Sequence, residues 1–445
     1  MKYLTLLFAT AFVAVSAMAE QVQLSLSTTH PMLPAAQKNT TFIKVALTGF
    51  QLKQAERAPV NLSIVLDKSG SMQGDSIVKA REAACQAVSR LQKNDIVSIV
   101  AYDSGVQVLV PATKVTDKQS IIDIINKVQA DGGTALFAGV SKAAAETRKF
   151  FQKNHVNRVI LLSDGQANEG PSSPAALGEL GSSLIKEGIS VSTIGLGQGY
   201  NEDLMARLAT KSDGNHIYAH TSKQLIAAFN NEFGDVLSVV AQEVSIKIVC
   251  DTGVRPIRVL GRDAEITGQN VVLNMNQLYS QQEKFVMLEV EVPAGLKDAT
   301  RQLASCSVSY SNLKTKVTDK LTSQLAVRFS ESQQVVAKNV NQDTMNVCIS
   351  VHASVANSEA IKLRDQGKIE EAKKILLAND KLLKEQLAIN PTEELKKQAS
   401  YNLYDYQNIS NTKDWNVNRK KMKAYNRGNI NQQKETQAYD TPKTK

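Results

Sequence analysis

Apolar and polar residues alternate through residues 20–57, in QVQLSLS and FIKVALTGF, with the period of half-buried strands. Over residues 58–235 the pattern changes. Short apolar runs (VNLSIVLD, DIVSIVAYD, RVILLSD, ISVSTIGLG) take turns with stretches of helical period (SIVKAREAACQAVSRLQ, KQSIIDIINKVQ, ALFAGVSKAAAETRKFFQ, PAALGELGSSLIKEG, NEDLMARLAT). Such alternation predicts an α/β fold: parallel strands joined by helical crossovers, a doubly wound sheet with helices on both faces. Residues 236–335 return to strand-like alternation in EVSIKIV, KFVMLEVEV and SCSVSYSN. Two separate β units would each be small and hard to stabilise. The economical reading is one β-sandwich formed by 20–57 and 236–335, with the α/β domain inserted in it.

Residues 336–410 read as helical. In DQGKIEEAKKILLANDKLL, Gly367 separates two amphipathic runs as in a short helical hairpin, and Pro391 opens another helix. The Gly367 and Ala372 spacing resembles a single tetratricopeptide-type hairpin, one unit where stacked repeats need about three. Packing against the body is expected. Residues 411–445 are Asn, Gln, Lys and Thr with the single Trp415, a composition that predicts a disordered tail.

Composition sharpens this picture. The 445 residues exceed one ordinary core, and 42% hydrophobic with 21% charged residues are globular values. Of the net charge of +9, Lys413–Lys445 supplies +6, from nine basic and three acidic residues. The body is therefore nearly neutral, which argues against a nucleic-acid-binding core and leaves the tail as a salt-sensitive contact for an acidic surface. At the start of the chain, Lys2, the apolar stretch Tyr3–Val15 and Ala17-Met18-Ala19 have the order of a cleavable export signal over residues 1–19. An exported protein, periplasmic or secreted, is expected. Export permits disulfides among Cys85, Cys250, Cys306 and Cys348, for which three full pairings exist. Cys85, at helical spacing from Ala84 and Val88, reads as a free, small buried hydrophobe. Cys250 and Cys306 lie in strand-like segments that would let them meet across a sandwich.

The candidate chemistry lies in three loops. Asp67-Lys68-Ser69-Gly70-Ser71 follows the first α/β strand, Gly132-Gly133-Thr134 precedes a helix, and Asp164-Gly165 ends the strand Arg158–Ser163. Open parallel sheets bind ligands at the carboxyl ends of their strands, where these loops would converge. Two carboxylates and three hydroxyls, without His or Cys, suit a hard divalent cation such as Mg²⁺. Counted from Asp67, the sixth position is Met72 and the twelfth is Val78, which excludes an EF-hand. Gly195-Leu196-Gly197-Gln198-Gly199 lacks dinucleotide-fingerprint spacing and a Walker Lys, so it reads as a strand-exit turn. His155, His216 and His220 show no spaced pairing with a nucleophile.

D-x-S-x-S, a Thr in a Gly-rich loop and a strand-terminal Asp-Gly, in that order, resemble the metal-ion-dependent adhesion site of von Willebrand factor type A domains. The similarity extends through ISVSTIGLGQGYNEDLMARLA, over about residues 58–235. It implies a mostly parallel, Rossmann-like fold and a metal site of Asp67, Ser69, Ser71, Thr134 and Asp164 holding Mg²⁺ or Mn²⁺. An Asp or Glu carboxylate of a protein partner would fill the open coordination position. It further implies that Thr134 exchanges between direct and water-mediated coordination, with Gly132 and Gly133 permitting the shift. A non-enzymatic adhesion or assembly module is the leading expectation. Its rivals are a metal-assisted hydrolase, for which no nearby base is evident, and a scaffold with a vestigial metal site.

Overall fold

The computed structural model describes residues 21–53 and 56–433. The candidate export signal lies outside the described residues. Among those described, no helix is long and apolar enough to cross a membrane.

Strands β1 (Gln23–Thr28), β2 (Met32–Pro34) and β3 (Asn39–Thr48) open the chain. The α/β domain follows: β4 (Val60–Asp67), α1 (Asp75–Arg90), β5 (Ile96–Tyr102), β6 (Val106–Lys114), α2 (Lys118–Asn126) and α3 (Leu136–Lys149). It continues with β7 (Val156–Ser163), α4 (Pro174–Lys186), β8 (Ser190–Leu196), α5 (Glu202–Lys211), β9 (His216–Ala219) and α6 (Ser222–Val236). The sheet order is β6-β5-β4-β7-β8-β9, parallel except for the antiparallel edge strand β6. Every residue of β4, β5, β7, β8 and β9 is buried, as helices on both faces of a sheet require. Helices α1, α2 and α6 cover one face through Ile77, Ile121 and Phe229, and α3, α4 and α5 cover the other through Val140, Leu177 and Leu204. Polar residues inside the strands are satisfied locally: Asn61 Nδ2 donates to the Thr147 carbonyl at 2.8 Å and to Asn157 Oδ1 at 3.0 Å.

The chain then forms β10 (Val239–Cys250), β11 (Arg255–Val259), β12 (Glu265–Thr267), β13 (Asn270–Tyr279), β14 (Glu283–Val292), β15 (Thr300–Asn312) and β16 (Thr318–Ser330). With the opening strands they build a sandwich of two sheets, β1-β3-β14-β11 and β12-β13-β10-β15-β16-β2. The sheets share a core that includes Ile43, Val45, Ile246, Ile248, Leu288 and Val308. The α/β domain is inserted in this sandwich. Its two connections pass side by side at Ser280, which bridges to Gly49 and whose amide donates to the Ser238 carbonyl at 2.7 Å. Backbones approach so closely there that a Cβ on Gly49 would lie 2.1 Å from the Tyr279 carbonyl oxygen.

Helices α7 (Gln333–Lys338), α8 (Gln342–Asp365), α9 (Ile369–Ile389), α10 (Glu393–Asn408) and α11 (Trp415–Asn431) complete the described chain. Gly367, at φ +82°, turns α8 into α9. Cys348 and Val351 of α8 pack with Leu260 and Met287 of the sandwich region.

Three expectations are corrected. The segment expected to be a disordered tail contains α11, which buries Met422, Lys420 and Asn426; residues 434–445 lie outside the described residues. Arg419, Lys420 and Lys423 pair with this chain's own Glu202 and Asp203, so their charge is not held out for an external acidic surface. Cys250 and Cys306 sit on neighbouring strands of one sheet, facing Ala304 and Ile248, and are free, as are Cys85 and Cys348. Cys85 is half-buried, and burial pushes the Cys250 thiol up to about 11 and the Cys306 thiol up to about 12.

Candidate metal centre

Sheet order reverses on either side of β4, the place where open α/β sheets form a crevice at their carboxyl ends. Asp67 is the last residue of β4 and Asp164 follows β7, the strand beside it, so the pairing register brings both carboxylates to one edge. Asp67 is fully buried and its side chain is fixed on several sides. Oδ1 accepts from the Ser69 amide at 2.9 Å, and Oδ2 accepts from the Ser163 hydroxyl at 2.5 Å and the Tyr102 hydroxyl at 3.1 Å. Ser69 Oγ lies 3.1 Å from Ser71 Oγ, and Ser71 Oγ donates to Asp164 Oδ1 at 2.7 Å. Thr134 closes the group. A Cβ placed on Gly165 would lie 3.2 Å from Thr134 Oγ1 and 3.5 Å from Asp67 Oδ2. All five residues read from the sequence thus gather at one point.

The Thr134 loop is tied down. Gly70 N–H donates to the Gly132 carbonyl at 2.9 Å, Gly133 N–H to Ser104 Oγ at 2.8 Å, Thr134 N–H to Asn168 Oδ1 at 2.8 Å and Ala135 N–H to the Asp103 carbonyl at 2.7 Å. Gly132, at φ +78°, holds a left-handed conformation that suits glycine. These bonds, together with the Gly132 turn, set where the loop presents Thr134.

Burial raises the Asp67 carboxyl above its ordinary value, against the hydrogen bonds from Ser163 and Ser69. Burial also raises Asp164, to about 6, with the neighbouring Asp67 charge adding to the shift. Two desolvated carboxylates beside each other and beside three hydroxyls form a donor set that a divalent cation neutralises. The residues fit Mg²⁺ or Mn²⁺. This set is not a cluster of acidic, imidazole or thiolate ligands, and among the described residues no group of three or more His, Cys, Asp and Glu is placed to hold a metal.

Four contributors escaped the sequence reading: Ser163 and Tyr102, which hold Asp67, and Ser104 and Asn168, which hold the Thr134 loop. Ser163 sits directly before Asp164 and was the most accessible signal; the others act across loops distant in sequence. Beside the exposed side of the site lies a cavity of about 460 Å³, lined by Ser71, Asp164, Gly197, Gly199, His220 and Ser222. The turn after β8 thus serves as its wall. His220 places an imidazole in this cavity, with Nδ1 bonded to the Tyr218 hydroxyl at 2.9 Å.

Comparison with known proteins bears on the family and the fold. The family model described as von Willebrand factor type A domain matches residues 61–232. The uncharacterized protein YfbK of Escherichia coli (strain K12) is 30% identical over 222 residues, covering 49% of this chain and 39% of that one. The chain therefore spans well under two thirds of that relative's length. Among solved structures, a von Willebrand factor type A protein from Catenulispora acidiphila has the same fold at a TM-score of 0.67, with 15% identity, 84% of this chain and 89% of that chain covered. The ArnB paralog VWA2 from Sulfolobus acidocaldarius gives a TM-score of 0.60 at 16% identity, covering 93% of this chain and 99% of that chain.

Proposed function

Since residues 61–232 are a von Willebrand factor type A domain, we propose that this chain is a non-enzymatic protein-binding module that engages its partner through Mg²⁺ or Mn²⁺ at Asp67, Ser69, Ser71, Thr134 and Asp164. The observation that carries this reading is the convergence of those five side chains around two desolvated carboxylates, open on the Ser71 and Asp164 side. When bound, the ion supplies positive charge only partly neutralised by the two carboxylates, with an exchangeable position for a partner's Asp or Glu. Asp67 binds from a rigid floor, since Ser163, Tyr102 and the Ser69 amide fix its rotamer. Ser71 and Asp164 form the rim nearest the cavity and meet the partner first. Lys2, Tyr3–Val15 and Ala17-Met18-Ala19 support export to a periplasmic or extracellular setting, where such a module serves adhesion or assembly.

Capture on the immobilised full chain tests this reading. A partner retained in Mn²⁺, released by chelator and lost with Ser71→Ala supports the bridge. Retention that ignores chelator moves binding to the sandwich or helices. Metal-dependent turnover of simple esters, abolished by His220→Ala, would replace the module with a hydrolase.

A further inference from the structure

Helix α11 docks on the α/β domain at the start of α5, beside the metal centre's cavity. Lys420 is buried, and its ammonium donates to Glu202 Oε2 at 2.6 Å and to the Tyr200 carbonyl at 2.6 Å while lying 4.3 Å from the centre of the Tyr200 ring. Arg419 also pairs with Glu202, and Lys423 reaches Asp203 at 2.6 Å and Glu202 at 3.4 Å. One buried carboxylate thus takes three cations from a single helix. A turn earlier, Asn416 Nδ2 donates to the Gln198 carbonyl at 3.2 Å. All these contacts fall on or directly after the loop Gly197–Asn201.

That loop touches the metal centre on its other side. A Cβ on Gly199 would sit 3.5 Å from the Asp164 carbonyl oxygen, and Gln166 Nε2 donates to the Gly199 carbonyl at 3.2 Å. Gly197 and Gly199 line the cavity beside Ser71 and Asp164. The path from α11 to a candidate ligand is therefore one loop thick, a loop held on its inner side by buried Tyr200 and the Gly197 amide's bond to Ala219 and on its outer side by α11.

We propose that α11 is a built-in regulatory strap: docked on Glu202 and Tyr200, it holds the Gly197–Asn201 loop against Asp164, and its release loosens that loop and weakens divalent-cation binding. This rests on the metal reading above. By linkage, cation binding in turn tightens the docking of α11, because coupling between two sites is reciprocal.

Hydrogen exchange and Mn²⁺ titration on the full chain test the strap. Lys420→Met is expected to speed exchange at the amides of 197–201 and to lower Mn²⁺ affinity about fivefold or more, the lower end of ordinary coupling. In the wild type, Mn²⁺ is expected to slow exchange in α11. If Lys420→Met fails to fold, Asn416→Ala, which removes only the exposed bond to Gln198, decides by exchange at 197–201. Release of α11 with unchanged loop exchange and unchanged Mn²⁺ affinity overturns the strap, as does α11 remaining docked in Lys420→Met. A wild-type chain that binds no Mn²⁺ overturns the metal reading instead, and loop exchange in the variants still judges whether α11 positions the loop.

Discussion

Asp67 and Asp405 are both sealed carboxyls, and they differ in what surrounds them. Asp67 gathers donors at both oxygens and faces a second carboxylate. Asp405, in α10, is buried with Oδ1 lacking a hydrogen-bond partner among the described residues, and burial drives its carboxyl well above the usual range. The native state then keeps a proton that the unfolded chain releases above about pH 4, so this group makes stability fall as pH rises from there toward its folded pKa. Asp405→Asn removes that slope. Urea unfolding at pH 5 and pH 7 is expected to show the variant gaining on the wild type as pH rises, by about 1.4 kcal/mol for each pH unit over which the native carboxyl stays protonated. A variant less stable than wild type at pH 7 would mean an ionised, partnered carboxylate. The five candidate ligands were legible in the sequence because they occupy short runs with fixed order, whereas Tyr102, Ser104 and Asn168 are ordinary residues whose contacts with the site arise only when distant segments meet.

Elements position the site through close packing. Helix α3 crosses Tyr102 at Gly139, where an added Cβ would lie 2.7 Å from the Tyr102 ring, and the Tyr102 hydroxyl holds Asp67. Gly139→Ala is expected to push the ring away, cost about 1–3 kcal/mol of stability by overpacking and weaken Mn²⁺ binding in the same variant. Thermal melting with and without Mn²⁺ measures both, and a loss of stability with intact metal affinity would detach Tyr102 from the site. The strands and crossover helices of the α/β domain were readable because their burial follows the hydrophobic pattern itself. Helix α11 was not. Its sequence WNVNRKKMKAYNRGNIN has few apolar positions; Met422 packs on α8 and α9, and the contact with the α/β domain is made by ion pairs with Glu202 and Asp203, more than two hundred residues away, which no local periodicity records.

At the scale of the molecule, the inserted domain is fastened to the sandwich by a buried polar network. Arg158, at the start of β7, donates to Ser192 Oγ at 2.6 Å and to Glu232 Oε1 at 3.3 Å inside the α/β domain. Its other terminal nitrogen, Nη2, donates to Gln277 Oε1 and to the Tyr279 hydroxyl of β13 in the sandwich. Glu232 also accepts from Asn215 Nδ2 at 2.7 Å. Glu232→Ala leaves a fully buried guanidinium without its carboxylate and is expected to cost about 3–5 kcal/mol. Urea unfolding followed by probes in each domain is expected to shift both transitions; a small loss confined to one domain would show that the network does not couple them. The insertion itself was foreseeable, since two flanking alternating segments had to share one core. Its fastening was not, because Arg158 lies in a strand that reads as apolar.

Calorimetric titration of Mn²⁺ into the wild type and Asp67→Ala decides whether a divalent-cation site is built on Asp67. Saturable one-site binding by the wild type is expected, lost in the variant while its melting remains cooperative. Equal affinity in the two proteins, or no binding by the folded wild type, would mean that Asp67 anchors no divalent-cation site.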